Sequence, residues 1–317
     1  MASAKLNAPP QPSLWRRLLH WTIYGLIALI VLLALHTWYV VASFDTETLP
    51  DRYGQVDEQL YIEPSTEGHA KPLLVLLGGA EGGNAWTRSR WKAQRDRFLA
   101  QGYAVLAIGY FGMPNTPEKL DRIGIEGVYA AIVRAAQNPE INADCIAVLG
   151  GSRGGELALV LGSRYPDIRT VVALSPSSAV FVSHTDAMVT SAFAFEGQSL
   201  PFVPMLWSAT PELILGDIGG VMRKLVANQP AMDAAAIRVE QINGPLLLVS
   251  GAQDDMWPSR EMSDAMMARL ERAGFQPAHE HWALPGGHTA PTEEFPRIEA
   301  FLSTHFAPNR GTGGCAE

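Results

Sequence analysis

The sequence predicts an α/β fold: a mostly parallel sheet with helices on both faces, a cap inserted late in the sheet, and one long apolar helix ahead of it. Three observations carry this. Short, fully apolar runs (KPLLVLLGG, GYAVLAIG, CIAVLG, TVVALS, PLLLVS) recur with helical segments between them, as buried parallel strands do. One long stretch, Pro176–Gly244, lies between the fourth and fifth of these runs, is rich in Phe, Pro and Met, and follows no clean period. The N-terminal region holds about 21 consecutive residues, Trp21–Val41, without Asp, Glu, Lys or Arg, enough to cross a bilayer.

The elements follow in order. Residues 1–17 form a polar, proline-containing lead, and residues 18–43 a transmembrane anchor. Trp21 and Tyr24 near one end, and Trp38 and Tyr39 near the other, match interfacial belts. Lys5, Arg16 and Arg17 precede the span and Asp45, Glu47 and Asp51 follow it. The positive-inside rule then gives a single-pass protein with a cytoplasmic N-terminus and an extracytoplasmic catalytic domain. A cleaved signal peptide, with Val40 and Ala42 as its small residues and a secreted product, is the competing reading; the apolar run exceeds the usual h-region. Residues 44–71 are a connector with strand character near Gln59–Ile62.

From 72 to 308 strand and helix alternate. Strands are expected at 72–79, 102–109, 145–150, 170–175, 245–250 and 278–284, and helices at 117–137, 154–164, 259–273 and 293–305. This alternation places the sheet between two helical layers, with residues 176–244 as a cap or lid over its carboxyl edge. Residues 309–317 read as a disordered tail. The net charge of −8 gives no overall basic field for nucleic acid. Cys145 lies in a strand and Cys315 in the polar tail, a pattern that argues against a disulfide framework.

The chemistry concentrates at AVLGGSRGGELALVLG, where a strand runs into Gly-x-Ser-x-Gly and then a helix. This is the nucleophile elbow of the α/β-hydrolase fold. Gly150 and Gly154 relieve collisions two residues either side of Ser152, and the Arg153 amide at the helix start points at the reacting oxygen. A serine hydroxyl needs a base, and LPGGHTAP places His288 on a glycine-marked loop after the last strand. His279 and His281 fall inside the strand, and His305 in the final helix. Together with His288, His279 and His281 lack the carboxylate and histidine set of strong zinc spacing, so no metal or cofactor is called for.

The acid follows the preceding strand in PLLLVSGAQDDMWPS; Asp254 has the better offset and Asp255 is left as a loop carboxylate. Asp254 orients the imidazole. LLGGAEGG after the first confident strand supplies the second oxyanion donor, Gly79 or Ala80, between which spacing does not choose. Phe193, Phe195, Phe202 and Trp207 in the insertion are expected to line an acyl pocket. Arg88, Arg90, Lys92, Arg95 and Arg97 are expected to form a solvated helix face.

LLGGAEGG, GYAVLAIGYFG, IAVLGGSRGGELALVLGSRYPDIRTVVALSPSS, FEGQSLPFVP, and VEQINGPLLLVSGAQDDMWPS with the later GGH make the chain resemble a known family. It is similar to the C-terminal catalytic domain shared by acyl-CoA thioesterases and bile acid-CoA:amino acid N-acyltransferase. The resemblance runs from about residue 72 to 300. It implies Ser152 as nucleophile, Asp254 as acid and His288 as base, and a serine elbow matches the hydrolytic members. It also implies a β-sandwich ahead of the catalytic domain, for which residues 44–71 are too few. Since an exported domain meets little CoA, the expectation is a serine hydrolase of acyl thioesters or esters. A membrane-anchored carboxylesterase or lipase, or a hydrolase-fold binding protein without catalysis, remain the alternatives.

Overall fold

In the computed structural model of the chain the described residues are 14–63, 68–307 and 315. Most of the expected lead and tail lie outside them. Contacts divide the chain into two compact units, Met1–Asp45 and Thr46–Glu317. The first contains helix α1, Leu14–Ser43, which has no buried residue and is long and apolar enough to cross a membrane.

The second unit begins with β1, Asp57–Tyr61, and β2, Lys71–Leu77, followed by α2, Lys92–Ala100, and β3, Ala104–Gly109. A two-residue strand β4, Ile123–Gly124, leads into α3, Ile125–Ala136. Then come β5, Ile141–Gly151, α4, Arg153–Arg164, and β6, Ile168–Leu174. The insertion holds β7, Phe193–Phe195, β8, Gln198–Ser199, α5, Thr210–Leu215, α6, Ile218–Val226, and α7, Gln229–Ala234. The chain closes with β9, Leu246–Gly251, α8, Ser259–Ala273, β10, His279–Leu284, and α9, Phe295–Phe301.

The main sheet has seven strands in the order β1-β3-β2-β5-β6-β9-β10. All neighbours are parallel except β1, which runs antiparallel to β3. The connector thus contributes an edge strand. Alternation along each strand sends side chains to opposite faces. Leu73, Val75 and Leu77 join Leu106, Ile108, Val148 and Leu248 under α3, α4 and α8. Leu74 and Leu76 join Val105, Ala107, Leu149 and Val249 under α2 and α9, with Phe98, Phe295 and Ile298. Strands buried on both faces explain why the runs are continuously apolar.

Three local expectations are corrected. The helix expected at 117–137 starts only at Ile125: Gly112–Arg122 forms turns and bends that lead into β4, and Arg122, at φ 43°, cannot sit in a right-handed helix. The last helix is regular only over Phe295–Phe301, with a 3-10 turn before it and a π turn after. Cys145 and Cys315 form a disulfide, their Cα atoms 5.6 Å apart. Cys145 shares a core with Phe306 and Ala307, against which Cys315 packs, so tertiary structure brings Cys315 back to β5.

The insertion is not one lid. Its first part adds β7 and β8 to β4 as a small separate sheet. Its second part, α5–α7, builds a third apolar cluster with Phe181, Val221, Leu225, Trp257 and Met262.

Candidate active site

β5 ends at Gly151 and α4 begins at Arg153, so a single residue turns the chain from strand to helix. That residue is Ser152, with φ 55° and ψ −121°. A non-glycine residue at positive φ is strained, and here the surroundings impose it. A Cβ on Gly150 would run into the Gly154 carbonyl, and one on Gly154 into the Gly78 carbonyl. The Gly78 carbonyl also accepts a 2.7 Å hydrogen bond from the buried Tyr110 hydroxyl. Three backbones therefore meet at van der Waals distance around the serine.

The expected acid and base are in contact. His288 Nδ1 lies 3.0 and 2.9 Å from the two Asp254 carboxylate oxygens. Since the carboxylate only accepts, Nδ1 carries the proton and Nε2 is left as the basic nitrogen. Asp254 is closed off from solvent, its side chain 1% exposed. Its carboxylate also accepts from the Met256 and Trp257 amides and, at 2.6 Å, from the Ser259 hydroxyl. Burial pushes the Asp254 carboxyl up, but the bonds from His288 and Ser259, the imidazole's charge and the Met256 amide outweigh it and hold it below the ordinary carboxylate value. Asp255 makes no such contact with His288.

Ser152 and His288 line one cleft of about 420 Å³, together with Gly78, Gly79 and Ser175. The Ser152 hydroxyl and the imidazole are not hydrogen-bonded to each other in this structure; such bonds often tighten only with substrate. Gly79 sits against the serine: a Cβ there would lie 3.3 Å from Ser152 Cβ. Gly79 lines the cleft, while Ala80 is exposed and outside its lining. Arg153 opens α4, where unpaired helix-start amides collect.

The acyl-pocket expectation is corrected. Phe193 is in the core with β7, Phe195 carries the Arg164 guanidinium 4.2 Å from its ring, Phe202 packs on the main core, and Trp207 is 70% exposed. None of the four lines the cleft. Its aromatic wall is Trp86, Trp91 and Phe295, with ring centroids 4.7 to 6.0 Å apart. Trp86 is held by its indole bond to the Leu77 carbonyl. The basic run near α2 is not uniformly solvated either. Arg95 is buried, donates to the Trp86 carbonyl and stacks on Tyr61, and Arg88 donates to the Gly82 carbonyl. Arg90, also in the lining, pairs with Glu81 at 3.3 Å.

Two features around the cleft carried no sequence signal. Ser175, at φ 44° after β6, donates through its hydroxyl to the His288 carbonyl at 2.7 Å. Its own carbonyl accepts from Trp257 Nε1 at 3.0 Å, and the Trp257 ring stands edge-on to the His288 ring at 6.0 Å. The loops that carry Asp254 and His288 are thus tied through one residue. Behind the serine, Arg153 and Glu156 form a buried ion pair at 2.8 Å. Glu156 also accepts from Ser177 and the Phe181 amide, and Arg153 donates to the Val182 carbonyl and to His184 Nε2. Burial pushes the Glu156 carboxyl up against those partners.

The fold and the elbow geometry define the chain as an α/β hydrolase in architecture. Solved structures agree on that fold. A Mycobacterium tuberculosis puromycin-hydrolyzing peptidase superposes with TM-score 0.57 at 14% identity, over 81% of this chain and 37% of that one. The Pyrococcus furiosus esterase Pf2001 superposes with TM-score 0.50 at 18% identity, over 75% and 84%. The family is more specific: residues 130–316 match the family model described as BAAT / Acyl-CoA thioester hydrolase C terminal, and the chain belongs to that family. Among its relatives are the Mus musculus mitochondrial acyl-coenzyme A thioesterase 2, 24% identical over 84% of this chain and 55% of that protein. The Mus musculus bile acid-CoA:amino acid N-acyltransferase is 24% identical over 89% and 63%. The chain spans little more than half the length of these relatives.

One titration follows from the geometry. Burial first, then the Arg153 charge, push His184 down to about 3. Arg153 cannot accept, so Nε2 of His184 accepts and the ring is neutral. The unfolded imidazole binds a proton below about 6.5 and the folded one does not until about 3, so stability is full above pH 6.5 and falls as pH drops toward 3. His184→Gln keeps an acceptor for Arg153 without a titrating group. Urea midpoints between pH 6 and 4 should show a stability slope for wild type steeper than for the variant by up to about 1.4 kcal/mol per pH unit.

Proposed function

We propose that the chain is a serine hydrolase that cleaves an acyl thioester or ester through an acyl-enzyme, with Ser152 as nucleophile, His288 as base and Asp254 as orienting acid. The single observation that carries this is the Asp254–His288 pair, whose imidazole lines the same cleft as a serine held at positive φ on a strand-to-helix turn. The Asp254 carboxylate fixes the tautomer and stabilises the imidazolium that forms. His288 Nε2 takes the Ser152 proton as Oγ attacks the acyl carbonyl. The Gly79 and Arg153 amides receive the oxyanion, each such donor being worth about 2.7–4 kcal/mol in the transition state. The tetrahedral intermediate expels the leaving group, with His288 supplying a proton where one is needed. Water, activated by the same imidazole, then releases the acid.

The names of the relatives supply the substrate class. Two are acyl-CoA-directed, one a thioesterase and one an N-acyltransferase, and an acyl thioester is the substrate we favour here. The aromatic wall of Trp86, Trp91 and Phe295 is the surface on which the acyl chain lies. Helix α1 is a single-span anchor with the hydrolase unit on the extracytoplasmic side; the Cys145–Cys315 disulfide supports that side, since such bonds persist in oxidising compartments.

Three measurements follow. Ser152→Ala should lower kcat by about four to six orders of magnitude with the fold retained, and a fluorophosphonate probe should label wild type but not the variant; a near-wild-type rate in the variant excludes Ser152 as nucleophile. Trp91→Ala should lower kcat/KM for octanoyl thioesters about tenfold while leaving acetyl thioesters nearly unchanged, read on a chain-length panel of thioesters and oxygen esters. Ser175→Ala removes the hydroxyl bond to the His288 loop and should lower kcat about tenfold at constant KM. Ser175→Gly, which also relieves the positive φ, should do the same, separating loss of the bond from relief of strain.

A further inference from the structure

Exposed apolar side chains on the Thr46–Glu317 unit are not scattered. Among the described residues, its large exposed apolar side chains are Val133, Trp207, Ile214, Leu215, Ile218 and Met256. All but Val133 belong to the α5–α6 hairpin, the turn before it, or the acid loop. Trp207 and Ile214 are seven residues apart and Leu215 eight, so the 3-10 turn Trp207–Ala209 and α5 present them on one face. The opposite side already has its own apolar residues: Ala209 is buried and Leu213 packs on the cap cluster. A surface helix ordinarily shows polar groups outward; this one shows its largest apolar groups, Leu215 at 82% exposure.

The acid loop continues the patch. A Cβ on Gly219 would meet the Asp255 carbonyl, so the start of α6 abuts that loop and Ile218 and Met256 share one neighbourhood. Charges lie around it: Arg223 near Asp217, and Lys224 paired with Glu212 at 2.7 Å. An exposed apolar patch rimmed by polar groups marks an interaction surface.

Chain connectivity says what meets it. Helix α1 ends at Ser43, and Thr46 already belongs to the hydrolase unit. Three residues reach no further than about 11 Å, so a bilayer that holds α1 lies within that distance of Thr46. The carbonyls of Thr46 and Thr48 accept from the buried Arg122 guanidinium at 3.0 and 2.8 Å. Arg122 pairs with Asp121, Asp121 accepts from Thr190, and Thr190 bonds Ser183, beside the Val182 carbonyl that receives Arg153. Bonds thus connect the point where the chain enters the unit to the helix that begins after Ser152. Met256 precedes Trp257, whose indole bonds the carbonyl of Ser175, itself in the cleft lining.

We propose that the face formed by Trp207, Ile214, Leu215, Ile218 and Met256 seats in the headgroup–acyl boundary of a phospholipid bilayer, setting the cleft at the membrane surface so that acyl substrates reach it from lipid. The seating of the face rests on the anchor reading of α1, and the delivery of substrate from lipid rests on the proposed hydrolase function. The test uses full-length protein in vesicles of phosphatidylcholine and phosphatidylglycerol. A Cys315→Ser background leaves only the fully buried Cys145, and an environment-sensitive dye is placed at Leu215→Cys or, as control, at Val133→Cys.

Nitroxide-bearing lipids should quench the dye at position 215 by about half and the control hardly at all. Ile214→Glu with Leu215→Glu should lower turnover of a vesicle-borne acyl substrate about tenfold while a water-soluble short-chain ester is hydrolysed as before. Equal, weak quenching at both positions in protein that floats with the vesicles overturns the proposal. So does quenching at 215 that needs a second labelled copy rather than labelled lipid, which makes the face a self-association surface. Failure to float overturns the anchor reading and the proposal together. Quenching is read without catalysis, so an inactive enzyme leaves this test intact.

Discussion

The site depends on one crowding constraint: three backbone segments, at Gly78, Gly150 and Gly154, approach so closely that no side chain fits between them. Their approach forces Ser152 into positive φ and brings the loop after β2 beside the loop after β5. Strain of this kind costs about 1–3 kcal/mol and persists only where packing over-determines it. Here β2 and β5 are adjacent parallel strands buried on both faces, and α4 rests on the Gly78 carbonyl. The sheet thus sets the hydroxyl, the Gly79 backbone and the start of α4 in one fixed arrangement. A preorganised donor set needs no reorganisation when charge develops.

The remaining groups arrive from the other side of the sheet, on loops after β9 and β10. Loops are usually mobile, and here two bonds through Ser175 limit that freedom. Its hydroxyl holds the His288 carbonyl and its carbonyl holds Trp257, three residues from Asp254. Ser175 itself follows β6, which lies between β5 and β9. The strand that leads into Ser152 and the strand that leads into Asp254 are therefore braced through the strand between them.

Legibility in the sequence followed the range of each constraint. The elbow glycines, Ser152, Asp254 and His288 were readable because a backbone clash or a loop position after a strand leaves a local mark. Gly79 and Ala80 sit in the same glycine-rich run and differ only in three dimensions, where Gly79 lines the cleft and Ala80 is exposed. The aromatic wall was not readable: Trp86 and Trp91 come from the segment before α2 and Phe295 from α9, and nothing in either segment signals the other. Phe193 and Phe202 misled because apolar character predicts burial without saying against what. Arg95 misled in the opposite sense: its charged guanidinium is buried, stacked on Tyr61 and bonded to the Trp86 carbonyl, with Nε left without a partner. Cys315 carried no local mark of its partner, which lies 170 residues away in sequence.

The Arg153–Glu156 ion pair ties the insertion to the helix that follows Ser152. Burying Arg153 and Glu156 costs desolvation that their attraction alone offsets poorly, and well-packed apolar residues often serve stability as well or better. What the pair adds is connectivity. The Glu156 carboxylate holds Ser177 and the Phe181 amide, and the Arg153 guanidinium holds the Val182 carbonyl and His184. All four partners lie in the first stretch of the insertion, where Phe181 also bridges to Val203. An apolar pair at these two positions could fill the space but would leave that stretch without the partners that fix its path. The two charges convert a long irregular excursion, which a sheet edge cannot pair, into a segment anchored at several points to the helix that begins at Ser152. Both ends of the ion pair are satisfied by cap backbone or cap side chains, so the cap cannot shift without exposing a buried charge.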